Sequence, residues 1–332
     1  MTNENRYDVV VIGGGAAGLS GALTLSRARR SVLVIDAGAQ RNAPAGGVHN
    51  YLGREGTAPA ELYRIGRAEI EGYGGEFRAG SVTEVTGASG DFTVRLEDGD
   101  EVRARRILLA TGGVDDLPDV PGVRERWGRD VLHCPYCHGW EVRDRAIGIL
   151  ATSAGAVHQA QLFRQWSADV TLFAHTAAAE LGDDARADLA ARGVRVVEGT
   201  VAALRIEDDA IVGVELESGD VVPVGAVVVQ PKPIARAGMV AGLGLKPVEV
   251  ERGGLVVGTA LTVDPTGATA VPGIWAAGNV ADGYATVIKS AAAGVDAAAL
   301  INFDLAAEGV YSPVAEAVEP AEAAEAATAS AS

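Results

Sequence analysis

The sequence predicts an α/β fold built from two strand–turn–helix–strand units, and three features carry that reading. Tyr7 to Ile12 is a continuous β-branched run, as a parallel strand buried on both faces requires, and it opens directly into Gly13-Gly14-Gly15-Ala16-Ala17-Gly18 and an Ala/Leu-rich helix. The same order recurs from Ala146 to Phe173. Between the two units lies Cys134-Pro135-Tyr136-Cys137, which holds the only two cysteines of the 332-residue chain. That length allows two domains, each with its own core.

In chain order, the helix from Leu19 to Arg29 leads to a strand from Ser31 to Ile35 that ends on Asp36. Strand, glycines, helix, strand and acid together form a dinucleotide fingerprint. Gly13 permits the tight turn, Gly15 lets backbone approach a pyrophosphate, and Gly18 lets helix and strand pack closely. The helix N-terminus offers free N–H groups to the phosphates, and Asp36 is placed to accept from a ribose hydroxyl. His49 and Asn50 fall in a Gly-rich loop ahead of a helix from Pro59 to Tyr73. Glu76 to Arg106 reads as short strands, with turns at Gly87 to Gly90 and Asp98 to Asp100. A buried strand then runs into the small-residue turn Ala110-Thr111-Gly112, where backbone can pass close to a ligand.

Asp115 to Gly122 and Pro231 to Pro233 read as linkers. In the second unit the strand is Ala146 to Leu150, the helix Ala156 to Ser167 and the next strand Asp169 to Phe173. The positions where a dinucleotide turn needs glycine are Ala151 and Ser153, and their side chains crowd the surface that a pyrophosphate approaches. After Phe173 no carboxylate is placed for a 2′-hydroxyl and no arginine for a 2′-phosphate. The second unit therefore keeps a dinucleotide architecture without its binding chemistry. Val194 to Gln230 supplies further strands, Val271 to Val280 a short strand and Gly turn, and Thr286 to Phe303 a helix of small residues. Residues 312–332 contain only Ala, Glu, Pro, Ser, Thr and Val, the composition of a disordered tail.

Three chemistries fit Cys134-x-x-Cys137: a redox dithiol, half of a zinc site, or a structural disulfide. Redox chemistry exploits the lowered pKa of one sulfur at this spacing. Zinc needs two more ligands, and His133 and His138 are too close in sequence to complete a tetrahedron comfortably. A structural bridge suits a secreted chain, and the N-terminus shows no secretion signal. The redox reading ranks ahead of zinc, and zinc ahead of structure. A net charge of -16 argues against nucleic acid and anionic membrane as partners. No stretch of about 18 uninterrupted apolar residues occurs, so the expectation is a cytoplasmic protein with no membrane span.

This order of features resembles the low-molecular-weight thioredoxin reductase family from Tyr7 to Leu305. The resemblance rests on the N-terminal fingerprint, the Ala110-Thr111-Gly112 turn, Cys-x-x-Cys ahead of a second unit and the closing Ala277-Gly278-Asn279-Val280. It implies two Rossmann-like three-layer domains and a homodimer. An FAD domain would be formed by residues 1–114 and 244–311, with a nicotinamide-type domain, 115–243, inserted. It further implies flavin contacts from Gly13, Gly15, Ala16, Ala17, Gly18, Asp36, Ala37, Gln40, Arg41, Asn42, Asn50 and Val82. Others would come from Ala110, Thr111, Gly112, Gly278, Asn279, Thr286 and Val287. Asn279 stands where the family usually has Asp.

Two departures point to a sub-branch: His138 replaces the Asp that follows the second cysteine, and the second glycine turn and its arginines are missing. Cys-x-x-Cys-His-Gly with a degraded second site resembles the dithiol oxidases of gliotoxin and holomycin biosynthesis, the latter more closely. Those enzymes close a disulfide in a small dithiol and pass the electrons through FAD to molecular oxygen. Cys134 and Cys137 are then the redox pair, with Cys134 attacked by substrate and Cys137 beside the flavin. His138, whose ordinary pKa of about 6.5 lies near working pH, is suited to act as base or to hold a thiolate. His133 is equally a helper or a cap, and Trp140 defaults to the core. A disulfide reductase fed by NADPH or by a protein donor such as ferredoxin stays open, as does a non-catalytic redox-sensing flavoprotein.

Overall fold

The computed structural model describes residues 6–309. The chain begins β1 (Arg6–Ile12), α1 (Ala16–Arg27), β2 (Val32–Asp36), α2 (Pro59–Glu71), β3 (Glu76–Ala79), β4 (Val82–Ala88), β5 (Asp91–Leu96) and β6 (Glu101–Leu109). These strands form one sheet in the order β3-β2-β1-β6-β5-β4. The first four strands of that order run parallel, and β5 and β4 turn back antiparallel. Alternation along β1 divides its side chains between two cores. Val9 and Val11 pack with Leu19, Ala22 and Leu25 of α1, whereas Val10 and Ile12 pack with Phe92 and Val94 on the other face.

The chain continues through β7 (Gly113–Asp116), α3 (Val123–Arg126), β8 (Val131–Leu132), α4 (Pro135–His138), β9 (Ile147–Leu150), α5 (Ala156–Phe163) and β10 (Val170–Phe173). Next come α6 (Asp183–Ala191), β11 (Arg195–Val197), β12 (Val201–Glu207), β13 (Ala210–Leu216), β14 (Val221–Pro223) and β15 (Ala226–Val228). A second, all-parallel sheet runs β11-β10-β9-β15-β8, and β12-β13-β14 form an antiparallel layer against it. Phe163 of α5 and Leu189 of α6 fill the opposite face beside Ile147, Ile149 and Leu172.

Last come β16 (Lys232–Ala235), β17 (Val248–Arg252), β18 (Leu255–Ala260), β19 (Ile274–Ala276) and α7 (Val287–Gly309). β19 joins the first sheet beside β6. By length and composition, Val287–Glu308 is apolar enough to cross a bilayer. Here it lies on α1, burying Ala297, Ala298, Ile301 and Leu305, and a Cβ added at Gly294 would run into the Ala17 carbonyl.

The two segments read as linkers are in part a paired ribbon. β7 and β16 run antiparallel, with Gly113 opposite Ala235 and Asp116 opposite Lys232. Pro233 is tolerated because a two-stranded ribbon is all edge. The helix expected from Ala156 to Ser167 ends at Phe163, and the closing helix runs on past Phe303. The segment expected to be a disordered tail lies outside the described residues.

Candidate active site

A cavity of about 910 Å³ opens between the fingerprint turn and the Cys-x-x-Cys segment. Its wall takes Gly13, Gly15, Ala16 and Ala17 from the first turn, and Asp36, Ala37, Gln40, Arg41 and Asn42 from the end of β2. Val82, Ala110, Thr111, Gly112, Gly278, Asn279, Thr286 and Val287 complete that side, and His133, Cys134, Cys137 and His138 form the other. Of the flavin contacts expected from sequence, Gly18 and Asn50 do not line it. Gly18 serves packing, since a Cβ there would run into the Gly13 carbonyl. Asn50 instead holds the Cys134–Cys137 segment, its Nδ2 donating to Tyr136 O at 2.5 Å.

The fit to a dinucleotide can be tested on the turn itself. Gly13 has φ +109°, a conformation side-chain-bearing residues rarely adopt. A Cβ built on Gly15 meets no atom of the other described residues within 4 Å beyond its chain neighbours, so that position faces open cavity. At the far end Asp36, almost fully buried, accepts from Gly14 N–H at 3.1 Å, Gln40 Nε2 at 2.9 Å and Arg67 Nη2 at 2.6 Å. Arg67, on α2, carried no sequence signal because its role depends on a partner 31 residues away. The amide of Asn279 donates to Asp282 O at 2.9 Å and Ala285 O at 3.0 Å, fixing the loop that carries Thr286 to the wall.

The two thiols are electrostatically unequal. Cys134 sits immediately before α4, and its pKa falls from 9.0 to about 7 because Cys137 hydrogen-bonds to it and the N–H groups of Cys137 and Tyr136 support the charge. Cys137 is pushed up, since its proton is the one held against Cys134 and burial further disfavours a second charge. Burial holds His138 below the ordinary imidazole value, with Glu141 opposing the shift and His49 adding to it. His138 lines the cavity, and its Nε2 is a buried polar atom without a hydrogen-bond partner among the described residues. Burial also lowers His133, whose Nδ1 lies 3.2 Å from Val229 O and 3.2 Å from Gln159 Nε2.

Two wall residues, Asp115 and Tyr284, escaped sequence reasoning. Arg41 makes a two-pronged pair with Asp115 at 2.8 and 2.5 Å and donates to Gly283 O at 2.6 Å, which ties the start of the ribbon to the cavity. Asp115 reads as linker in the sequence, so the pair carries no local signal. Tyr284 places its ring 5.7 Å from that of His133. His49 also lines the cavity, 2.6 Å from Glu55 and 3.5 Å from Glu141. Trp140, expected in the core, is 64 % exposed and stacks under the Arg143 guanidinium at 4.1 Å. It belongs to the turn that follows α4.

Comparison with known proteins agrees with this geometry. The family described as pyridine nucleotide-disulphide oxidoreductase matches residues 7–298. The chain belongs to that family. It is a redox enzyme with the thioredoxin reductase-like mixed α/β fold. It is 30 % identical to thioredoxin reductase sirT of Leptosphaeria maculans over 91 % of this chain and 95 % of that one. Among solved structures, it is similar to HlmI with a TM-score of 0.85 and 48 % identity, covering 93 % of this chain and 96 % of that chain. An oxidoreductase from Agrobacterium tumefaciens follows at TM-score 0.84 and 36 % identity, covering 91 % and 99 %.

Proposed function

We propose that this oxidoreductase is an FAD-dependent dithiol oxidase. It closes a disulfide in a small-molecule dithiol through Cys134 and Cys137, with molecular oxygen as the final acceptor and hydrogen peroxide as the by-product. The observation that carries the reading is one shared cavity: a dinucleotide cradle on one wall, and an unequal thiol pair with the adjoining His138 on the other.

The chain's own residues account for the thiol steps. With the pair oxidised, a substrate thiol gives its proton to neutral His138 and attacks the Cys134 sulfur. The substrate–Cys134 bond forms, the Cys134–Cys137 bond breaks, and the Cys137 thiolate takes a proton. The second substrate thiol, deprotonated in turn, attacks the substrate sulfur of the mixed disulfide and expels Cys134. Cys134 is suited to leave, because a thiol of pKa about 7 departs more readily than one of 9.0. The products are a cyclic substrate disulfide and an enzyme pair carrying one thiolate and one thiol, with one proton released to solvent. A bound FAD, held by the fingerprint turn, Asp36 and the 110–112 and 278–287 segments, supplies the two-electron acceptor and the route to oxygen. Burial keeps His138 uncharged, which is the form a base needs.

The second reading, a disulfide reductase, is favoured by the name of the sirT relative. Oxygen uptake with a small dithiol tests the proposal. Wild type should consume oxygen and form peroxide, and Cys134→Ser or Cys137→Ser should lose turnover. Wild-type rates in either variant would contradict every thiol-based version.

A further inference from the structure

In open α/β sheets a dinucleotide lies outside the carboxyl ends of the parallel strands. At the ends of β9 and β10 that crevice is filled from within. β10 passes into a 3-10 turn, His175–Glu180, which folds back over the strand ends. The Ala177 N–H donates to Ala151 O at 3.3 Å, and both residues are fully buried. His175, at φ +40°, pins the turn by accepting from Val201 N–H at 3.0 Å through Nδ1. The end of the turn brings Glu180 to the strand–helix loop, where its Oε2 accepts from Ala154 N–H at 2.9 Å.

Ala154 lies two residues before α5, where a free N–H and the helix dipole would otherwise meet a phosphate. The neighbouring N–H, that of Gly155, is taken by Ser153 Oγ at 3.3 Å, and Ser153 donates onward to Gln230 Oε1 at 2.8 Å. The Ala154 and Gly155 N–H groups are thus both occupied by the chain itself, and one of the occupants is an anion. A carboxylate tethered by a short turn competes with a free anion at high effective concentration, and its charge repels an incoming phosphate.

We infer that Glu180 is the specificity residue that excludes a dinucleotide from the second unit, by standing as an internal anion in its phosphate position. The consequence that electrons enter only through Cys134 and Cys137 rests on the function proposed above; the exclusion itself does not.

The test is calorimetric titration of inorganic pyrophosphate into flavin-loaded wild type, Glu180→Gln and Glu180→Ala. Unchanged flavin spectra and melting temperatures would certify each variant, and the isosteric Gln variant serves should the Ala variant fold poorly. Both variants should bind pyrophosphate more tightly than wild type, with Glu180→Ala tighter by about tenfold, the loss of one charge-assisted competitor. Wild-type affinity in both variants would overturn the inference. Anaerobic flavin bleaching by a dithiol, run on the same wild-type sample, reports separately on the proposed function, so the two failures are distinguishable.

Discussion

Replacing Cys137 with Ala should move the pKa of Cys134 upward, and the size of the move follows from the site. At a pKa of about 7 the Cys134 sulfur is half thiolate at neutral pH; at the ordinary 9.0 it would be about 1 % thiolate, a fifty-fold difference. The largest cause of the lowering is the hydrogen bond from Cys137, with smaller support from the N–H groups of Cys137 and Tyr136. Those backbone donors survive the substitution, so the return is partial, about one pH unit or roughly a fivefold loss of thiolate at pH 7. The assay is the pH dependence of iodoacetamide alkylation, which is unambiguous here because the variant retains a single cysteine. Cys137→Ser keeps a hydroxyl that can donate, so its midpoint should stay near that of wild type. A midpoint of about 7 in the Ala variant would refute the claim that Cys137 sets the thiolate.

Three further outcomes are expected. His138 is held below the ordinary imidazole value by burial, so its base form persists as pH falls and is lost only below about 6.5. The acid limb of dithiol turnover should lie there, and His138→Gln should lower the rate about 10²-fold and make it track substrate thiolate instead, as a stopped-flow pH profile would show. Gly15→Val places a branched side chain where the wall now faces open cavity; the purified variant should carry little flavin per chain by absorbance while keeping its far-ultraviolet spectrum. Gly294→Val forces α7 away from the Ala17 carbonyl and should destabilise the protein by about 1–3 kcal/mol, seen as a lowered melting temperature.

What the sequence disclosed and what it withheld divide along the range of the interactions. β1, α1 and β2 were legible because two-sided burial leaves a continuous β-branched run and because the tight turn at Gly13 and the close packing at Gly18 each demand glycine. The Cys134–Cys137 pair stood out because the chain spends cysteine nowhere else. The β7–β16 ribbon was not, since Asp115-Asp116 and Lys232-Pro233 fall in segments that read as linkers until paired across more than a hundred residues. Arg67 beside Asp36, Asp115 beside Arg41 and Glu180 at the second turn share that character: each is an ordinary surface-type residue whose role is assigned by its partner. The loss of glycines at Ala151 and Ser153 showed that the second turn had changed; only the fold showed what fills it.

The measurement that bears most directly on the central claim is an anaerobic absorbance trace of the flavin in the purified protein, with NADPH added first and a small dithiol second. The account predicts that NADPH leaves the oxidised band intact, the dithiol bleaches it, and air restores it with the release of peroxide. Rapid bleaching by NADPH would contradict it, because the second unit would then bind and use a nicotinamide despite Glu180, and the enzyme would be a reductase.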